Sequence, residues 1–280
     1  MLPISFDKLP FKGLSELLTS LDKAAVIAHV DFFLIGAVAR DIWMHARHEV
    51  REWRMTADVD VAVMVADVAH YRALTKAMVT NGNFRAIEGY EYTFLTPFGV
   101  QVDILPFGGS LEVEGKVRER DASGSEIWVN GFREVYELGV EDVAFENGRT
   151  YKVATLPAIV ILKFRAYDDA PELRVKDIVD IGYILKHYEV IVEAEIFEDH
   201  LDLVVDGYDG GLAAARVLGR QIQRIVGRDS AIARRLEGIL NRSIGDPADS
   251  PIGDLLAQNG FKSVENAIRY LDAIHTGLIE

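Results

Sequence analysis

The sequence contains no cysteine at any of its 280 positions. A disulfide scaffold, a thiol nucleophile and any zinc or iron–sulfur site with cysteine ligands are therefore excluded. Histidine is also scarce, and no two of the seven histidines stand at the spacing of a His-x-x-x-His zinc pair. The chain also lacks the glycine-rich loop of P-loop proteins and the nucleophile elbow of serine hydrolases, so neither class is supported.

Long hydrophobic runs are missing too. The longest, such as residues 156–162, are far shorter than the ~20 residues that a membrane helix needs. The N-terminal stretch MLPISFDKLPFKG has neither the basic nor the apolar region of a secretory signal. We therefore expect a cytoplasmic protein that does not contact a membrane.

The chain has fewer basic than acidic residues, with 30 Lys and Arg against 44 Asp and Glu, and its formal net charge is -14. A face that binds duplex DNA needs clustered Lys and Arg, so duplex DNA is not an expected partner. A small phosphate ligand fits an acidic protein best when it arrives with a metal cation. The chain is 49% hydrophobic, which is enough for a packed core and excludes wholesale disorder.

The hydrophobic periodicity changes character along the chain. Short strand patterns at 32–35, 59–63 and 100–105 alternate with helical patterns in the first half. From Thr155 onward the pattern is almost wholly helical. We therefore predict an α+β fold, with a mixed sheet flanked by helices in a domain at 1–153 and a helical domain at 154–280.

Three aspartates carry the strongest chemical signal. Asp58 and Asp60 flank a valine in a strand pattern, so both carboxylates project from one face, and Asp103 lies in a second strand that could run beside the first. Such an oxygen-rich group suits Mg²⁺, and a pair of these ions can activate an attacking oxygen. The alternative is an acidic solvent face, because Glu112/Glu114 and Glu193/Glu195 have the same spacing.

A glycine turn precedes the acidic strand. Residues 32–35 form a buried strand pattern, and a helix pattern begins after Gly36 and Ala37. This arrangement points backbone N–H groups and the positive helix end at a phosphate, and Arg40 could add a charge-assisted contact. The alternative is an ordinary strand-to-helix turn.

Together, the glycine turn, the Asp-x-Asp strand and the lone strand aspartate resemble the nucleotidyltransferase superfamily of the DNA polymerase β type. The chain departs from that pattern in having Ala37 at the second small position and a longer insert before Asp58. The resemblance implies two sets of site residues. They are the catalytic metal ligands Asp58, Asp60 and Asp103, and the nucleotide-binding residues Gly36, Ala37, Arg40 and Thr56.

The second half of the chain sharpens this resemblance. An apolar helix carries Lys163, and a Lys-Asp-x-x-Asp segment follows at 176–180. With the stretch at 131–134, these features resemble the abortive-infection nucleotidyltransferase toxins of the AbiEii/AbiGii type. The chain has an acidic pair at 168–169 where that family has Asp-Arg, which leaves open whether Arg165 or Arg174 supplies the charge. The resemblance implies that the helical domain completes the nucleotide cleft with Lys163, Lys176, Asp177 and Asp180.

Simpler interpretations of these helical residues remain open. Lys163 could be a lysine whose stem lies along apolar surface, and Asp177 and Asp180 could form a salt-bridged surface face.

The resemblance implies an enzyme that moves a nucleoside monophosphate from an NTP to an RNA (tRNA) or protein acceptor, with Mg²⁺ or Mn²⁺ as cofactor. Its role would be that of a toxin in a toxin–antitoxin or phage-defence pair, with an antitoxin protein as partner. One alternative is an enzyme of the tRNA CCA-adding type, whose turn is echoed by residues 36–41. Another is a catalytically silent nucleotide-binding or interaction protein of the same fold.

Overall fold

The computed structural model describes residues 3–9, 11–50, 58–80, 83–113, 115–117 and 128–280. Thr56, predicted to bind nucleotide, lies outside these residues. The chain divides into two compact units, Met1–Thr155 and Leu156–Glu280. Within the described ranges, no helix is both long and apolar enough to cross a bilayer.

The first unit is built on a seven-stranded mixed sheet with the order β3-β4-β5-β2-β1-β9-β8. A separate two-stranded sheet pairs β6 with β7. The strands are β1 (Asp31–Leu34), β2 (Asp58–Met64), β3 (Arg85–Ile87), β4 (Tyr90–Leu95), β5 (Gln101–Phe107), β6 (Glu112–Val113), β7 (Lys116–Val117), β8 (Val140–Ala144) and β9 (Thr150–Ala154).

Four helices of the first unit accompany this sheet within its described residues. They are α1 (Leu14–Ala28), α2 (Gly36–Asp41), α3 (Val68–Thr80) and α4 (Phe132–Leu138), and α2 continues as the π-helical segment Ile42–Arg47.

Strand pairing fixes the centre of the sheet. β2 runs antiparallel to β1 and parallel to β5, with Asp60 directly opposite Asp103. Val59 and Val61 project from the other face and have no solvent exposure. A shift of one residue would bury the aspartates and expose these valines, so the burial pattern locks the register.

The face of the sheet that carries Asp60 and Asp103 is covered by aromatic side chains farther along the strands. Phe33 on β1 and Phe107 on β5 lie in edge contact with a ring-centroid separation of 5.8 Å. Both rings also contact Phe132 and Tyr136 of α4. The helix α4 therefore packs on the same face that carries the aspartates, and leaves them at one end of it.

The second unit is entirely helical. Its main helices are α5 (Leu156–Asp169), α6 (Val175–Asp199), α7 (Gly210–Val226), α8 (Ala231–Ser243), α9 (Pro251–Gln258) and α10 (Val264–Ile279). Glycines allow α7 and α10 to approach closely, because a Cβ built on Gly219 would lie 2.1 Å from the Ile274 carbonyl oxygen. The predicted α+β class, a mixed sheet with flanking helices followed by a helical region, is confirmed.

Candidate metal and nucleotide site

The structure brings the three predicted carboxylates together. Asp58, Asp60 and Asp103 each offer an oxygen atom within 4.8 Å of the others, and no other group of three or more His, Asp or Glu side chains in the described ranges does so. The three side chains are partly exposed. Parallel pairing of β2 with β5 produces this group, because Asp60 and Asp103 are register partners and Asp58 lies two residues before Asp60.

These residues fit a hard divalent cation. Carboxylate oxygens are the ligands that Mg²⁺ prefers, and the ion usually keeps open positions for water and substrate phosphate. The three side chains are partly exposed, as the ligands of an ion that receives such a substrate must be. Asp58, Asp60 and Asp103 are therefore the residues that would hold the ion.

Asp103 is held in place by two neighbouring side chains that the sequence analysis did not single out. The Thr93 hydroxyl donates a 2.7 Å hydrogen bond to Asp103 Oδ1, and the Gln101 amide donates to both carboxylate oxygens at 3.2 Å. Gln101 lies two residues before Asp103, so strand periodicity alone could have placed it on the same face. Thr93 lies on β4 opposite Asp103, and only the strand register reveals it.

The glycine turn lies directly against the acidic group. Gly36 has φ +67°, and a Cβ built on it would lie 2.1 Å from Asp60 Oδ2. The residue before Gly36 also contacts β2, because the Ile35 N–H donates to the Asp60 carbonyl oxygen at 3.1 Å. Glycine is therefore required both by the backbone conformation and by the space that Asp60 occupies. Ala37 follows as a buried residue at the start of α2.

Arg40 lies in the interior of the first unit. Its side chain has no solvent exposure, and Nε donates a 2.8 Å hydrogen bond to Asp41 Oδ1. The carboxylate of Asp41 is also 3.6 Å from His45 Nε2. In this arrangement the guanidinium faces protein and not solvent, so the predicted phosphate contact of Arg40 stays a prediction without support from its placement.

In the second unit, Lys163, Asp177 and Asp180 form one buried cluster. Lys163 Nζ lies 2.9 Å from Asp177 Oδ1 and 2.7 Å from Asp180 Oδ2, and Arg174 approaches Asp177 at 4.0 Å. Burial alone would lower the pKa of Lys163, but the two carboxylates raise it above its usual value. The ammonium is thus held charged by α6, and its predicted role towards a triphosphate stays a prediction. Lys176 is exposed.

The acidic pair at 168–169 is neutralised within the second unit. Arg165 is buried, 3.5 Å from both Asp168 and Asp169. From α8, Arg235 lies 2.5 Å from Asp168, and Arg242 lies 2.6 Å from the same carboxylate. Arg165 therefore pairs with Asp168 and Asp169 of its own helix. Arg174 is the arginine that lies near the Lys163 cluster.

A further charged group ties β1 to β9 and α4. Lys152 Nζ donates to Asp31 Oδ2 at 2.8 Å, and the Tyr136 hydroxyl donates to the same oxygen at 2.5 Å. Burial would raise the pKa of Asp31, but these hydrogen bonds and the lysine charge hold it below its ordinary value. Burial, the bond to Asp31 and the charge of Asp31 raise the pKa of Tyr136 to about 12.

No family model and no curated protein matches this chain. Among solved structures it is similar to the antibiotic-resistance factor ANT(2'')-Ia. The solution structure of that protein is 16% identical, covers 65% of this chain and 84% of its own, and has a TM-score of 0.36. Its crystal structure in complex with adenylyl-2''-tobramycin is 17% identical, covers 66% and 90%, and has a TM-score of 0.37. At these values the similarity decides nothing about function, which rests on the residues of the site.

Proposed function

We propose that the protein is a metal-dependent nucleotidyltransferase that moves a nucleoside monophosphate from an NTP to an acceptor hydroxyl. The observation that carries this proposal is the convergence of Asp58, Asp60 and Asp103 on one face of two parallel strands. The turn at Gly36, whose backbone lies against Asp60, supports it further. An acidic strand pair alone would also fit a solvated face, but neither the third carboxylate nor the glycine contact would then be needed.

The chain's own residues have distinct parts in this reaction. Asp58 and Asp60 would hold the cation, while Asp103 would complete the ligand set and accept the proton of the attacking hydroxyl as pyrophosphate leaves the NTP. A bound divalent cation supplies charge neutralisation at the phosphate oxygens. The hydrogen bonds from Thr93 and Gln101 restrain the Asp103 carboxylate beside Asp58 and Asp60.

The experiment is incubation of the protein with each α-³²P-labelled NTP, Mg²⁺ or Mn²⁺, and total RNA or cell lysate. We expect label to enter macromolecular material. Sensitivity of the label to ribonuclease or to protease identifies an RNA, such as tRNA, or a protein as acceptor. The matched control is the double variant Asp58→Asn with Asp60→Asn, which preserves side-chain shape and removes two charges. Equal labelling by the double variant, or no labelling by the wild type with any NTP, would contradict the proposal.

We further propose, from the sequence resemblance to AbiEii/AbiGii toxins, that this transfer is toxic and that an antitoxin protein restrains it. Induced expression in a bacterial host should then arrest growth, and the Asp58→Asn, Asp60→Asn variant should not. Growth arrest by both proteins would show that any toxicity is independent of transfer. A neighbouring reading frame that relieves the arrest would identify the antitoxin.

A further inference from the structure

Large apolar side chains are exposed along the second half of α6 and the segment after it. Val190, Phe197, Leu201, Val205 and Tyr208 are between 37% and 68% exposed, and we call them the 190–208 patch. Val190 and Phe197 are seven residues apart and so lie on the same side of the helix. The rings of Phe197 and Tyr208 contact each other with centroids 6.0 Å apart, which joins the helix to the segment that follows it. Exposed apolar side chains that lie next to one another, unlike scattered single ones, are typical of interaction sites.

The same stretch is intensely acidic. Residues 189–209 include eight Asp and Glu and no Lys or Arg, in a chain whose net charge is -14. Burial and the charges of Glu189, Glu193 and Asp209 raise the pKa of the Tyr208 phenol above its ordinary value. The acidic residues of the stretch are Glu189, Glu193, Glu195, Glu198, Asp199, Asp202, Asp206 and Asp209.

A recess of about 360 Å³ opens beside the patch, lined in part by Val205, Tyr208 and Leu212 and by the carboxylates of Asp202 and Asp272. Two arginines also line the recess, but each is already paired with a carboxylate of this chain. Arg216 pairs with Glu280, and Arg269 lies 3.8 Å from Asp209. Asp202 is itself paired with Arg220, so the recess offers an incoming side chain an apolar floor and the negative charge of Asp272.

We propose that the 190–208 patch docks a basic amphipathic helix of a partner protein. The apolar stripe of that helix would cover Val190, Phe197 and Leu201, and its flanking Lys and Arg side chains would reach the surrounding carboxylates. An amphipathic helix laid on an apolar surface is a recurring recognition mode, and complementary charge sets its specificity and rate of association. This inference is independent of the transfer reaction.

Charge also decides between this partner and the other occupants. A second copy of the chain would bring the same acidic stretch against itself, and like charges at an interface cost binding free energy. Nucleic acid is repelled for the same reason. A basic partner is the occupant for which both the apolar area and the acidic border contribute favourably.

The test uses a fluorescein-labelled model helix of leucine and lysine, with leucines at helical spacing. Its controls are an isomer of identical composition with leucine and lysine in strict alternation, and an analogue with glutamate in place of lysine. In fluorescence anisotropy titrations we expect binding of the helical peptide only, weakening as salt is raised. Hydrogen exchange of the complex should show protection at residues 190–208.

Two variants of the patch sharpen the result. Phe197→Ser with Leu201→Ser should weaken binding of the helical peptide about tenfold or more, because the apolar contact is lost. Glu193→Gln with Glu198→Gln should weaken it less and reduce its salt dependence. The matched control is Val26→Ser with Ile27→Ser on α1, which removes an apolar pair that is at least half exposed elsewhere and should leave binding unchanged. Circular dichroism melts establish that each variant is folded.

Three outcomes would overturn the proposal. The first is equal binding of the alternating isomer, which would indicate charge attraction without a docking surface. The second is unchanged affinity in a folded Phe197→Ser, Leu201→Ser variant. The third is a concentration-dependent dimer of the wild type that this variant abolishes, which would assign the patch to a second copy of the chain.

Discussion

At the scale of single residues, the group around Asp103 shows how a strand neighbour can matter as much as a ligand. Thr93 donates to Asp103 Oδ1, and without it only the two longer hydrogen bonds from Gln101 would restrain the carboxylate beside Asp58 and Asp60. Groups that orient a metal ligand commonly change metal affinity by about 10- to 100-fold. We therefore expect Thr93→Val to weaken Mn²⁺ binding about 10-fold, measured by electron paramagnetic resonance titration.

The control for this prediction is Thr93→Ser, which keeps the hydroxyl and should restore the affinity. A thermal melt of the metal-free proteins separates a positioning effect from a loss of folding. Equal Mn²⁺ affinity in the valine variant would mean that Thr93 does not position Asp103.

Gly36 offers a second residue-scale prediction. Gly36→Ala places a methyl group where Asp60 Oδ2 lies and forces a positive φ on alanine. Gly148→Ala is the matched control, because Gly148 has φ +76° and nothing lies within 4 Å of its Cβ position. The conformation alone costs about 1–2 kcal/mol in both variants. We expect only Gly36→Ala to lose additional stability and metal affinity, measured by chemical unfolding and Mn²⁺ titration. Similar losses in the two variants would argue against a close approach at Asp60.

The residue scale also shows where prediction from sequence stops. The aspartates of β2 and β5 could be predicted because strand periodicity places residues i and i+2 on one face and the apolar residues between them fix the phase. Thr93 could not, because its contact depends on the antiparallel register of β4, which two short strand patterns do not determine. The pairing of Lys163 with Asp177 and Asp180 cannot be predicted from the sequence either, because it depends on how α5 packs on α6.

At the scale of elements, periodicity found the long helices and the central strands but not the small pieces. The predicted helix after Gly36 is an α-helix only to Asp41 and then continues with π-helical geometry. Residues 37–46 are all buried, so no alternation of buried and exposed positions distinguishes the two geometries. The two-residue strands β6 and β7 are too short to show any period. The helix α4 has only seven residues, too few for a clear helical period. Its aromatic contacts with β1 and β5 depend on the fold and cannot be predicted from the sequence.

The α5–α6 pair supplies a prediction about stability. Lys163→Ala would leave the buried Asp177 and Asp180 without the ammonium between them. Removing one partner of a buried ion pair costs about 3–5 kcal/mol. We expect that loss in the free energy of unfolding, measured with urea, whereas Lys176→Ala at an exposed position should change it by less than about 0.5 kcal/mol.

These lysine variants also separate structure from chemistry. Lys163→Met combined with Asp177→Asn and Asp180→Asn should recover part of the stability, because no buried charge then lacks its partner. A Lys163→Ala protein as stable as the wild type would contradict the pairing. The resemblance to AbiEii/AbiGii toxins predicts a loss of transfer activity in Lys176→Ala without a loss of stability.

The group that joins β1, β9 and α4 predicts a pH dependence. Asp31 has a lowered pKa in the folded protein, so its contribution to stability is complete above its unfolded value of 3.8 and is lost as the pH falls through the folded value. Asp31→Asn should therefore lower the urea midpoint at about pH 7, and the difference from wild type should shrink at about pH 2.5. A difference that stays constant between these pH values would indicate that the charge of Asp31 contributes nothing.

At the scale of the whole molecule, metal binding should be confined to the first unit unless nucleotide also engages the second. All three proposed ligands lie in Met1–Thr155, so Mn²⁺ alone should slow hydrogen exchange in β2 and β5 and leave α5 and α6 unchanged. At about 100 times the dissociation constant, binding to the folded state alone adds about 2.7 kcal/mol to the free energy of unfolding of that unit.

Adding a non-hydrolysable NTP tests the rest of the prediction from sequence. If Lys163 and Lys176 serve the nucleotide, exchange around residues 163–180 should slow only when metal and nucleotide are both present. The Asp58→Asn, Asp60→Asn variant should show neither effect, because the cation that accompanies the triphosphate would lack two of its ligands. Protection of β2 and β5 without any change at 163–180 would confine the site to the sheet unit and leave the Lys163 cluster a purely structural ion pair.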